Sequence, residues 1–220
     1  MSARDGAHRV VAIDGPAASG KSSVARALAR QIGFDYVNSG AMYRAVTWHI
    51  LDRGISPTDI SAIIGLLENT RIDCTLDRDG FHILIDGIDP TPHLCSDHVN
   101  ENVSLVSSIP RLREILVEKM RSYAVDHDIV MEGRDIGSVV FPDTPYKFYI
   151  DASPDVRLRR RQAQGLRDQI AARDRADSSR RASPLIIAED AHVIDSSNLT
   201  IEGVVGEIIG RLKLKGLEIR

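Results

Sequence analysis

Near the start of the chain, Gly15-Pro16-Ala17-Ala18-Ser19-Gly20-Lys21-Ser22 places glycines, a lysine and a hydroxyl at the spacing G-x-x-x-x-G-K-[ST]. Each residue type has a use toward a polyphosphate. Glycines let the backbone curl so that successive N–H groups face one anion, and a following helix would add the positive end of its dipole. Lys21 is a compact mobile cation for the β and γ oxygens, and the Ser22 hydroxyl suits Mg2+, with Ser23 next in line. This predicts a site for a magnesium nucleoside triphosphate at Gly15, Pro16, Ala17, Ala18, Ser19, Gly20, Lys21, Ser22 and Ser23, with Mg2+ on Ser22. The alternative is an ordinary Gly-rich turn.

A phosphate loop alone binds a nucleotide without transferring anything. Transfer needs further cations, and arginine, which far outnumbers lysine here, grips phosphate bidentately. Arg44, Arg113 and Arg134 are scattered in sequence yet could converge. Arg134 follows an apolar strand at Glu132-Gly133-Arg134-Asp135, where a doubly wound sheet opens its ligand crevice. Taken singly, each arginine could instead be solvated or ion-paired. Farther on, residues 157–181 hold nine arginines, beginning with Arg157, Arg159, Arg160 and Arg161. Interspersed Asp168, Asp174 and Asp177 and the lack of aromatics make this a poor nucleic-acid arm. An arginine-rich lid that closes over a migrating phosphoryl group fits better. Arg157 and Arg159 could equally snorkel along a helix.

Those residues need elements to hold them. The first apolar run, at 10–13, is short and β-branched, and Val24, Leu28 and Ile32 follow at helical spacing until Gly33. Residues 34–37 read as a second strand, and Asn38-Ser39 as the cap of a helix running to Gly54. Ser56-Pro57 is expected to open another, carrying Ile60, Ile63, Ile64 and Leu67. Between 70 and 92 the period falls to two, around a turn at 77–80, which marks an inserted hairpin. A helix after Pro110 leads to strands at 129–131, 146–150 and 192–194, and a final helix spans 201–212. Five short strands alternating with helices predict an α/β fold with a doubly wound parallel sheet.

Bulk properties narrow the partners. With 220 residues, 43% of them hydrophobic, the chain can bury its own core, and a net charge of −3 does not suggest a nucleic-acid binder. No run approaches the length of a membrane span, and the start carries no apolar leader, so a cytoplasmic protein is expected. Cys74 and Cys95 are expected to be reduced. His93, Cys95, Asp97 and His98 crowd together, but at no structural zinc spacing.

At this point the segments IDGPAASGKSS, NSGAMYRA, SSIPRLR, EGRDIGSVVFPD, YKFYIDAS followed by VRLRRR, RDRADSSR, ASPL and VIDSS resemble the bacterial cytidylate kinase family, in family order from residue 10 to about 197. The resemblance implies one P-loop kinase domain over 1–220, with a nucleoside monophosphate-binding insert at about 66–105 and a lid at about 157–181. The implied reaction moves the γ-phosphoryl of ATP-Mg onto CMP and/or dCMP, in a monomer. The acceptor is then expected among Ser39, Tyr43, Arg44, Ser104, Arg113, Arg134, Asp135, Arg173, Asp177 and Arg180. Arg44, Arg134 and Arg180 would hold its phosphate, Arg173 and Asp177 its ribose, and Ser104, Arg113 and Asp135 its base. Lys21, Arg134, Arg157, Arg160 and Arg161 would be the catalytic cations. A phosphate oxygen is already an anionic nucleophile, so no general base is needed.

Three features depart from the family pattern: Asn38 where Asp is usual, Cys95 where Arg is common, and a short stretch between Arg161 and Arg173. Two other classes compete: a P-loop kinase for a different small acceptor such as shikimate, and a module that binds a triphosphate without transferring it.

Overall fold

The computed structural model describes residues 8–77, 80–163 and 185–219. Strand β1 (Val10–Asp14) leads through the phosphate loop into α1 (Lys21–Ile32), then β2 (Asp35–Asn38), α2 (Ser39–Asp52) and α3 (Ile60–Leu67). The hairpin β3 (Ile72–Asp77) and β4 (Gly80–Ile85) follows, then α4 (Asp97–Val106), α5 (Pro110–Tyr123) and β5 (Ile129–Gly133). A single π-turn, Ile136–Val140, precedes β6 (Tyr146–Asp151), α6 (Pro154–Ala163), β7 (His192–Asp195) and α7 (Ile201–Leu214).

Five strands pair in parallel in the order β2-β5-β1-β6-β7, as the doubly wound pattern predicts. Both faces are buried, and alternate side chains divide between them. Val10 and Ala12 of β1 join Ile129 and Met131 of β5 on the face covered by α2, α3 and α5. Val11 and Ile13 join Val130 on the face covered by α1 and α7. The hairpin is fastened to the first of these cores through Ile72, Ile83 and Ile85.

Because the strands are parallel and in register, Asp14 lies beside Gly133 and Tyr149, and Asp151 beside Asp195. The loops that leave these strands therefore emerge along one edge. The chemistry gathers there.

Two expected boundaries move. Residues 56–59 form a turn in which the Ser56 and Thr58 hydroxyls bond each other at 2.9 Å, and α3 begins only at Ile60. Its cap is Asp59, whose Oδ1 accepts from the Ala62 N–H at 3.0 Å. The second strand begins at Asp35 because the Phe34 N–H bonds the Ala29 carbonyl at 3.0 Å, closing α1. Sequence periodicity also left out α4, which lines the site through Val103 and Ser104, and the π-turn that follows Asp135.

Candidate active site

The phosphate loop takes its shape from backbone freedom. At Gly15 (φ 155°) a Cβ would lie 2.1 Å from the Ile150 carbonyl oxygen, so only glycine passes. Gly20 (φ 91°) starts α1 with no side-chain cap, which leaves the first N–H groups of the helix facing the loop. Ala18 also sits in the left-handed region, at φ 59°. Lys21 folds back across the loop, its Nζ donating to the Pro16 carbonyl at 3.1 Å.

A cleft of about 370 Å³ opens on one side of this loop. Ala17, Ala18, Gly20, Lys21, Ser22 and Ser23 line it from below; Ser39, Tyr43 and Arg44 of α2, Ser104 of α4, Arg113 of α5, and Arg134 and Asp135 after β5 line it from above. Arg161 reaches it from α6. All the expected acceptor residues within the described part of the chain meet around one space. Arg173, Asp177 and Arg180 lie outside the described residues.

The upper wall is held firmly. Arg113, 4% exposed, donates from Nη2 to Asp135 Oδ2 and from Nη1 to the Ser107 carbonyl at 3.0 Å, and its Cζ sits 5.1 Å from the Tyr43 ring centroid. Among the described residues its Nε has no hydrogen-bond partner. A buried donor left over in a cleft wall is suited to an acceptor on a ligand. The Ser39 hydroxyl donates to the Glu132 carbonyl at 2.7 Å, locking α2 to the end of β5. Arg134 Nη1 donates to the Gly15 carbonyl at 2.8 Å. Arg44 Nη2 contacts Asn100 Oδ1 at 3.4 Å. Asn38 caps α2 through Oδ1, which accepts from the Ala41 N–H at 3.0 Å. Capping uses one acceptor oxygen, which an amide supplies as well as a carboxylate does.

Arg157 and Arg160 take a different place. Arg157 Nη1 donates to the Ala17 carbonyl at 3.3 Å. Arg160 donates to the Ser19 carbonyl at 3.1 Å and to the Ser196 carbonyl at 2.8 Å. Both therefore clasp the outside of the phosphate loop. Arg160 also borders a second hollow of about 360 Å³, formed with Ala18, Ser19, Gly20, Ser23, Val24 and the residues 196–204 after β7. Gly15 and Pro16 line neither space and act through loop shape.

Sequence reasoning passed over three residues. Ser196 ties the second hollow to the loop, its Oγ donating to the Ser19 carbonyl at 2.8 Å. Glu132 is a buried carboxylate at the cleft, and accepts from the Tyr36 hydroxyl at 3.1 Å. Burial and the neighbouring Glu132 charge push the Tyr36 phenol above its ordinary range, which keeps it a donor. Asp14 ends β1 with both oxygens engaged, and burial pushes its carboxyl up to about 7, against the backbone N–H groups of Gly137 and Ile136. The available signal was positional, since all three stand at or just beyond the carboxyl end of a strand.

A family model described as cytidylate kinase matches residues 11–214. The cytidylate kinase of Pelotomaculum thermopropionicum is 42% identical over 214 residues, covering 92% of this chain and 95% of its own length. That of Caldanaerobacter subterraneus subsp. tengcongensis is 41% identical over 209 residues, covering 90% and 92%. That of Streptococcus agalactiae serotype III is 44% identical over 207 residues, covering 89% and 91%.

Proposed function

The chain belongs to the cytidylate kinase family, a nucleoside monophosphate kinase that uses ATP to phosphorylate CMP, giving CDP and ADP, and on that premise we propose how its two cavities divide the substrates. The observation that carries the reading is that the phosphate loop is their shared wall, through Ala18, Gly20 and Ser23. ATP places its base in the hollow beside Ser196 and threads its triphosphate over the loop, so that the γ-phosphate emerges beside Lys21. CMP occupies the larger cleft, its phosphate toward Arg134, Arg44 and Arg161 and its base toward Ser104, Arg113 and Asp135. The same acceptor site takes dCMP.

Several properties of the walls suit this division. Asp135 can only accept and Arg113 can only donate, whereas cytosine offers an N4 amino donor beside N3 and O2 acceptors. The leftover Arg113 Nε is free to meet one of those acceptors. Arginines that hold the acceptor phosphate turn one of its oxygens in line with the γ-phosphorus. That oxygen forms the new P–O bond as the bond to the β-phosphate oxygen breaks, and ADP leaves with the electron pair. Lys21, anchored across the loop, neutralises charge on the β and γ oxygens as it shifts.

Mg2+ fits the residues present: Ser22, with a hydroxyl, and Glu132, with a carboxylate, both line the cleft, and a magnesium ion bound mainly by nucleotide phosphates asks for little more. Held there, it would supply positive charge that offsets the charge of the transferring phosphates. Arg173, Asp177 and Arg180 are assigned by resemblance to the ribose and phosphate of the acceptor. The reading extends to a single-domain monomer acting in the cytoplasm, with an insert at about 66–105 and a lid at about 157–181. Among the described residues, no helix is long and apolar enough to cross a membrane.

The test is steady-state ADP formation from ATP-Mg with CMP, dCMP, UMP, AMP or shikimate as acceptor. CMP and dCMP should give the highest kcat/KM. A preference for AMP, UMP or shikimate would overturn the assignment.

A further inference from the structure

Asp14 lines neither of the two cavities. It is the last residue of β1, is 5% exposed, and immediately precedes Gly15 of the phosphate loop. Its Oδ1 accepts from the Ile136 N–H at 2.8 Å and its Oδ2 from the Gly137 N–H at 2.7 Å. Those two residues directly follow Arg134 and Asp135, and they open the π-turn whose Val139 and Val140 N–H groups bond the Asp135 carbonyl at 2.9 and 3.1 Å. One residue on, Arg134 donates to the carbonyl of Gly15 at 2.8 Å. Residues 14–15 and 134–137 are thus laced together by three bonds, all donated from the 134–137 side.

The side-chain chemistry is selective. A buried carboxylate is costly to keep unless its oxygens are satisfied, and here both are taken by backbone N–H groups of one turn. Asparagine would satisfy one N–H and set its own NH2 against the other, so two acceptors with no donor is the requirement. The corner has little slack. A Cβ at Gly137 would lie 3.2 Å from the Lys147 side chain and 3.4 Å from Asp14 Oδ2.

We propose that Asp14 is a positioning residue for phosphoryl transfer, whose carboxylate fixes the Arg134–Asp135 corner against the phosphate loop and so holds the acceptor in line with the donor. It touches neither substrate and acts through the residues that do. This rests on CMP occupying the cleft beside Arg134 and Asp135. The rest of the loop on the donor side is held by Gly20, by Lys21 and by the Arg157 and Arg160 bonds to Ala17 and Ser19, and should depend far less on the corner. Loss of the clamp is therefore an acceptor-side fault, in which misplacement by a fraction of an ångström lowers the rate.

The test compares wild type, Asp14→Asn and Gly137→Ala in steady state against both ATP and CMP. Asp14→Asn should raise the KM for CMP and lower kcat, with a combined loss in kcat/KM for CMP on the order of 10- to 100-fold, while the KM for ATP stays within about 2-fold. Gly137→Ala, which crowds the same bond from the other side, should show the same asymmetry to a smaller extent. Equal changes in both Michaelis constants, or lower stability with unaltered kinetics, would reduce Asp14 to a structural cap and overturn the proposal. Should either variant fail to fold, hydrogen exchange on the wild type decides: the Ile136 and Gly137 amides should be strongly protected, and exchange at the rate of an open loop contradicts the clamp. If the wild type makes no CDP from CMP, it is the substrate assignment that falls; if it does and the variants are symmetric, only the role of Asp14 falls.

Discussion

Lys21 spans the loop it serves, with its Nζ held by the Pro16 carbonyl and its stem buried. That anchoring means its charge is in place before the γ-phosphate moves, which is where a preorganised cation lowers a barrier. Lys21→Ala should cost on the order of 100- to 1,000-fold in kcat, measured by coupled ADP release. A variant that kept wild-type turnover would remove the loop from the mechanism. This residue was legible from eight positions of sequence, because backbone curl, lysine and hydroxyl are all local requirements. Asp14 and Glu132 were not. Each is one carboxylate at a strand end, and its worth depends on which N–H or O–H group the fold brings to it.

Among elements, the junction that leaves β5 has little room. A Cβ at Gly133 would come within 2.5 Å of Ser39 Oγ and 2.7 Å of Ile136 Cδ1. Gly133→Ala should therefore overpack the junction of β5, α2 and the π-turn, destabilising the protein by about 1–3 kcal/mol and raising the KM for CMP. Thermal unfolding and steady-state kinetics check it; unchanged Tm and KM would mean that the junction relaxes freely. Elements with strong periodicity, such as α1 with Val24, Leu28 and Ile32, were readable because one face alone decides them. The start of α3 was not, since Ser56 and Thr58 satisfy a turn with their own hydroxyls and leave the cap to Asp59. Helix α4 escaped for a related reason: it buries only Val99, Val103 and Val106, too thin a stripe to stand out.

Across the whole molecule, buried charge sets how stability responds to pH. Burial raises Asp14 from an ordinary value of 3.8 to about 7. Burial thus makes the ionised form that the clamp uses the costlier one, so this group's contribution to stability is fully present below about pH 4 and is lost as pH climbs through 7 and the carboxylate forms. The size is about 4 kcal/mol for a shift of roughly three units. Asp128 runs the other way, held low by its hydrogen bond to Arg9, and its contribution is lost as pH falls. The difference between wild type and Asp14→Asn isolates the first effect. The unfolding free energy of wild type relative to the variant should decline between pH 4 and 7.5, whereas a constant gap would mean that Asp14 does not titrate in that window.

The account stands or falls on whether the Arg113–Asp135 pair reads the base of the acceptor. In the proposed arrangement an ionised Asp135 would attract the cytosine N4 amino group and repel O4 of uracil, so part of the discrimination would come from rejection of the wrong base. Asp135→Asn can turn an amide donor toward O4 and should soften that rejection. The measurement is kcat/KM for CMP and for UMP, with ATP saturating, in wild type and Asp135→Asn. The ratio of CMP to UMP efficiency should fall by about 10-fold or more while the KM for ATP stays near wild type. An unchanged ratio in a folded, active variant would contradict the account, because the buried carboxylate facing the cleft would then have no part in choosing the base.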